Sequence, residues 1–111
     1  LRDFCYVTDV VEAILLAAAN KNAYGEVINI ASGKPISIKK IIERVQEKVG
    51  SGQPNFGKIP YREGENMSLY ADISKSIRLL DWAPKVNLDQ GLSKTIAAQS
   101  TKFIKQQEIN L

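Results

Sequence analysis

The sequence predicts an α/β fold in the order β-α-β-α-β-α-α, and three observations lead to that expectation. Short apolar runs alternate with segments of helical periodicity along the chain. One run, Val27-Ile28-Asn29-Ile30-Ala31, is apolar and glycine-bounded, which reads as a central strand buried on both faces of a parallel sheet. Capping residues precede the helical segments: Asp9, Ser37, Asp72 and Asn87.

Residues 3–7, Asp-Phe-Cys-Tyr-Val, are aromatic and β-branched and predict a short first strand. Asp9 with Glu12 three residues on resembles a capping box, so a helix is expected from Thr8-Asp9 to about Asn20. Val10, Ala13, Ile14, Ala17 and Ala18 form its stripe, and Val11, Leu15 and Leu16 widen it until most of the helix is expected to be buried. After the 27–31 run, Ser37 is expected to cap a second helix, with Ile38, Ile41, Ile42, Val45 and Val49 at helical spacing and Gly50 at its end. A third strand is expected at 57–61, followed by an Arg62-to-Ser68 loop. A third helix is expected from Ser74 to Leu80, burying Ile73, Ile77 and Leu80 and stopped by Pro84. Asn87 with Gln90 gives another capping box, opening a last helix marked by Leu88, Leu92, Ile96 and Phe103.

At 111 residues the chain is one domain or a piece of one. It begins at Leu1 rather than Met with residues already strand-like, so it is expected to be the C-terminal portion of a longer protein. Its net charge of +3 is spread along the chain, which reads as solvated helix faces; no nucleic-acid partner is expected. The longest apolar run, Ala13 to Ala19, is too short to span a bilayer, so no membrane role is expected. The single cysteine, Cys5, excludes an internal disulfide and fits a reducing, cytoplasmic compartment; in its apolar run it reads as a small buried hydrophobe rather than a reactive thiol. There is no histidine, which removes any His-based triad and leaves no zinc-ligand cluster.

No catalytic centre is readable either. The seven glycines nowhere take the spacing of a dinucleotide fingerprint, and no lysine lies four residues after a tyrosine, those positions being Val10, Ile28, Glu65 and Ser74. What remains is binding chemistry. Arg62 lies on a glycine-bearing turn, Tyr61-Arg62-Glu63-Gly64-Glu65, and Arg2 on a separate segment. Two planar, two-pronged donors on separate loops suit a diphosphate. Read alone, Arg62 is first a surface arginine paired with Glu63 or Glu65. Asp9 and Asp72 read as helix caps rather than catalytic acids, and Trp82 as a core anchor under Pro84.

Six segments together resemble one family. Arg2-Asp3-Phe4-x-Tyr6-Val7-x-Asp9-Val10-Val11 is similar to the R-D-F-x-Y-V-x-D-V-A segment of extended short-chain dehydrogenases/reductases, the nucleotide-sugar epimerases and dehydratases. Gly25 to Gly33 resembles their G-x-x-Y-N-I-G-S-G, Arg62-Glu63-Gly64-Glu65 their R-P-G-D, and Ala71-Asp72-Ile73-Ser74-Lys75 their A-D-x-S-K. Leu80-Asp81-Trp82-Ala83-Pro84 is similar to L-G-W-x-P, and Leu88-Asp89-Gln90-Gly91-Leu92 to L-x-E-G-L. Departures fall at Ala31, Glu63, Glu65 and Asp81, and two of them place carboxylates beside Arg62.

The resemblance implies that residues 1–111 are a single C-terminal portion: the last Rossmann strand, at Val27–Ile30, plus the small substrate-binding domain. It implies that Arg2 and Arg62 contact the diphosphate of a nucleoside-diphosphate sugar, with Leu69 and Tyr70 at the substrate edge of the pocket; Tyr70 also suits an ordinary strand. The parent family works with NAD(P), but no cofactor is expected on this chain alone, and no residue here is expected to be catalytic. The expected partner is a missing N-terminal Rossmann portion or a second copy in a homodimer. The alternative reading is a free-standing, self-associating interaction module without enzymatic activity.

Overall fold

The computed structural model describes residues 1–54, 56, 57, 59, 60, 64 and 67–109. Among them the elements are β1 (Arg2–Asp3), α1 (Val7–Ala19), a 3-10 turn (Lys21–Ala23), β2 (Pro35–Ile36), α2 (Ile38–Val49), α3 (Ser74–Leu80) and α4 (Leu88–Ile109). The class is α/β, but helix-rich: the two strands form an antiparallel ribbon with Arg2 opposite Ile36 and Asp3 opposite Pro35. Leu69 adds a single parallel bridge to Arg2, and its amide donates to the Leu1 carbonyl at 2.9 Å.

The helix ends follow local chemistry. Ser37 caps α2, its Oγ accepting the Lys40 amide at 3.2 Å, and Gly50 ends the helix in the left-handed region at φ 80°. Asn87 and Gln90 make the reciprocal capping box at α4: the Gln90 amide donates to Asn87 Oδ1 at 2.8 Å and the Asn87 amide to Gln90 Oε1 at 3.2 Å. Before α3, Asp72 Oδ1 accepts the Ser74 amide at 2.8 Å. This bond holds the Asp72 carboxyl below its ordinary pKa.

The core is small and centres on Trp82, 1% exposed, with Ala13 of α1 and Leu80 of α3; Cys5, Leu16, Ala17, Ala23, Ile28 and Ile30 pack against it. Burying an indole removes ~150–250 Å² from water, about 4–6 kcal/mol at ~25 cal/mol per Å². Cys5 is partly buried there, and desolvation is the main reason its thiol pKa is raised, with Asp9 and Asp3 adding to the effect.

Several expectations are corrected. The first strand shortens to Arg2–Asp3 because the chain turns into helix at Val7. Asp9 is therefore not a cap: it lies in the first turn of α1, is 3% exposed, and reaches across the molecule. Its Oδ2 accepts the amides of Lys85 and Val86 at 3.1 and 3.0 Å, and its carbonyl accepts Trp82 Nε1 at 3.0 Å. The run at 27–31 is not a strand, because no strand lies alongside it among the described residues; Val27 is 84% exposed. Its carbonyl accepts Lys75 Nζ at 2.9 Å instead. The expected parallel sheet and last Rossmann strand are thus replaced by the β1–β2 ribbon.

Residues 57, 59 and 60 carry no strand, while 58 and 61 lie outside the described residues. α1 is not mostly buried: Val7, Val11, Ile14 and Leu15 are exposed, since nothing among the described residues packs on that face. Ile77, expected in the core, is exposed too. The helix α3 ends on Asp81 at φ 50°, the one positive-φ residue other than glycine among those described, where the resembled pattern has glycine.

Asp9→Ala leaves two amides unmet and is expected to destabilise the fold by roughly 2–4 kcal/mol. Glu12→Ala breaks only the surface pair with Lys85, 2.8 Å, and is expected to cost less than about 1 kcal/mol; urea unfolding followed by circular dichroism separates the two. Asp81→Gly relieves a left-handed β-carbon and is expected to raise stability by about 0.5–1 kcal/mol, the relief of ~1–2 kcal/mol less glycine's unfolded-state entropy. A fall in its melting temperature would contradict this.

Candidate functional site

Of the four residues singled out from the sequence, the fold brings two together across 67 positions. Arg2 and Leu69 pair directly in the parallel bridge, and the N-terminal ammonium of Leu1 donates to the Met67 carbonyl at 2.7 Å. Tyr70 follows Leu69, and both side chains are exposed. Arg2 is half-buried, and its Nη1 donates to the Leu1 carbonyl at 2.9 Å. Arg62 lies outside the described residues, as do Glu63 and Glu65.

The ribbon that carries Arg2 is latched by a residue that sequence reasoning passed over. Asp3 Oδ1 accepts both the Ser32 amide, 2.8 Å, and the Ser32 hydroxyl, 2.6 Å, while Oδ2 accepts the Gly33 amide at 2.8 Å. The loop after residue 31 wraps the carboxylate as a small nest of donors. Gly33 is required there: its φ is 74°, and an added Cβ would lie 3.2 Å from the Ile73 side chain. The signal was available in the sequence, as a carboxylate next to Arg2 and a Ser-Gly pair downstream, but their meeting depends on the turn between them. Asp3 is a positioning residue: it fixes β1 against β2, and so fixes where Arg2 stands.

A second cross-link holds α3 in place. Lys75 Nζ contacts Glu26 Oε2 at 2.7 Å as well as the Val27 carbonyl. The hydrogen bond from Lys75, and then its charge, pull the Glu26 carboxyl below its ordinary pKa. Asn20 Nδ2 donates to the Leu79 carbonyl at 3.0 Å, tying the end of α1 to the same helix. These contacts anchor the segment that leads out of Tyr70.

Among the described residues, no three His, Cys, Asp or Glu side chains are placed to hold a metal ion, and no helix is long and apolar enough to cross a membrane. A dinucleotide pyrophosphate needs a helix start with glycines that let backbone approach it. α1 starts after Tyr6 and α2 after Ser37, and neither start has a glycine. Gly91, in the first turn of α4, is buried with an added Cβ 3.4 Å from the Tyr6 ring. The residues present do not fit that cofactor.

Residues 1–95 match the GDP-mannose 4,6-dehydratase family. A putative UDP-glucose 4-epimerase of Methanocaldococcus jannaschii is 35% identical over 96 residues, 86% of this chain and 30% of the relative. An epimerase of Methanothermobacter thermautotrophicus superposes with a TM-score of 0.81 at 26% identity, covering 94% of this chain and 32% of that one. The UDP-glucuronic acid 4-epimerase of Bacillus cereus, solved in complex with NAD, gives a TM-score of 0.68 at 34% identity, covering 83% of this chain and 28% of that one. The chain thus spans about 30% of the length of the relatives it matches.

Proposed function

Because the chain belongs to the GDP-mannose 4,6-dehydratase family, within the extended short-chain dehydrogenases/reductases, we propose that it is the nucleotide-sugar-gripping part of an NAD-dependent epimerase or dehydratase. The observation that supports this most is the backbone bridge between Arg2 and Leu69, which sets residue 2 next to the exposed Leu69-Tyr70 segment at the edge of a latched ribbon. In this reading Arg2 and Arg62 take the diphosphate, each with a planar donor pair matched to phosphate oxygens, and Leu69 and Tyr70 border the sugar. The oxidation and reduction steps of a full enzyme, and the NAD they use, are assigned to no residue of this chain.

The test is calorimetric titration with UDP-glucose. Arg2→Ala and Arg62→Ala are each expected to weaken binding about 10–100-fold, the loss of a charge-assisted hydrogen bond worth ~1.5–3 kcal/mol, with the circular dichroism spectrum unchanged. Equal affinity in both variants would remove the arginines from the site.

A second reading, self-association, is favoured by one specific feature. Val7, Val11, Ile14 and Leu15 of α1 are exposed together, and Val27 and Tyr24 are exposed as well. Apolar surface of this kind marks an interface. Light scattering is expected to give a dimer that Leu15→Glu dissociates; a monomeric, well-folded chain at high concentration would sink this reading.

A further inference from the structure

A cavity of about 570 Å³ lies where β1, the β2–α2 corner and the loop into α4 meet, and Arg2, Leu69 and Tyr70 are not among its lining residues. Four cations face it: Lys34, Lys40, Arg44 and Lys85. No aspartate or glutamate is among its described lining residues. The nearby acids already have partners. Asp3 is wrapped by Ser32 and Gly33, Asp9 by the amides of Lys85 and Val86, and Asp89 is paired with Lys48 at 2.9 Å while also feeling the charge of Arg44. Lys85 shares its charge with Glu12, whereas Lys34, Lys40 and Arg44 have no carboxylate within ion-pair distance among the described residues.

Two helix starts also border the space, α2 through Ser37 and α4 through Asn87, and their dipoles add to the positive field. Like charges gathered in a concave site raise the potential beyond that of a flat basic face. Apolar lining comes from Phe4, Ile36, Pro84 and Leu88, and Ser32 adds a polar side chain beside Ser37 and Asn87. Phe4 is exposed despite its size. A volume of this order suits a small molecule rather than a bare ion.

We propose that this cleft binds a small organic phosphate, its phosphoryl group held by Lys34, Lys40 and Arg44 and its apolar or planar body laid on Phe4 and Pro84. The site is separate from the one assigned to Arg2 and does not rest on that reading. Arg44 supplies the two-pronged contact, while the lysines act as point charges around the remaining oxygens. Such a site gives this domain a ligand of its own besides the diphosphate grip at the ribbon.

The experiment is a titration of the isotope-labelled chain with phenyl phosphate, read from backbone amide shifts, with inorganic phosphate as head group alone. Saturable shifts are expected at Lys34, Ser37, Lys40 and Asn87, with phenyl phosphate at least tenfold tighter than inorganic phosphate. Phe4→Leu is expected to shrink that tenfold preference. The double variant K40E/R44E, on the exposed face of α2, is expected to abolish the shifts while its melting curve stays that of the parent. An absence of saturable shifts, or shifts unchanged in K40E/R44E, would overturn the proposal. So would shifts confined to Arg2 and Leu69, which would place the phosphate in the ribbon site instead.

Discussion

The structure depends on one buried carboxylate. Asp9 lies in the first turn of α1, yet its bonds reach residues more than seventy positions away. Its oxygens fix the amides of Lys85 and Val86, and its carbonyl fixes the Trp82 indole. A buried carboxylate without partners would cost several kcal/mol; here its donors are the backbone amides of Lys85 and Val86. The same contact that neutralises the cost of burying Asp9 determines where the chain leaves the core, and therefore where α4 begins.

From that anchor the molecule grows in two directions. On one side Trp82 closes the small core between α1 and α3, and Leu80 and Ala13 complete it. On the other, the chain emerges at Asn87 beside α2, and the Lys48–Asp89 pair at 2.9 Å joins α2 to α4. That hydrogen bond and charge hold the Asp89 carboxyl below its ordinary pKa. The β1–β2 ribbon is organised by a similar device: Asp3 gathers the donors of Ser32 and Gly33. In both places an acidic side chain gathers backbone donors from a distant loop.

The surface divides accordingly. The ribbon edge presents Arg2 with Leu69, the α1 face presents aliphatic side chains, and the cleft at the β2–α2 corner presents cations above an apolar floor. These surfaces differ in chemistry: one carries a guanidinium, one aliphatic side chains, and one several cations. The core is small, and Val7, Val11, Ile14 and Leu15 of α1 remain exposed beside it.

Local patterns in the sequence determined the helices and their ends. Ser37, Gly50, Asp72, Asn87 and Gln90 act through neighbours within four residues, so their roles are legible without knowledge of the fold, and Trp82 as core anchor follows from size and hydrophobicity. The family was legible too, because six motifs kept their order. The residue 81 departure, from the resembled glycine to aspartate, was visible in the sequence, but only the backbone showed that it sits at φ 50°. The capping role expected of Asp9, the strand expected at 27–31 and the burial expected of α1 were decided by tertiary structure. Each depends on which distant group lies opposite: a carboxylate in the first turn of a helix is a cap or a cross-link according to the donors it meets, and an apolar run is a strand only when another strand pairs with it. Sequence spacing fixes periodicity and local hydrogen bonds, whereas pairing across seventy residues is settled by packing.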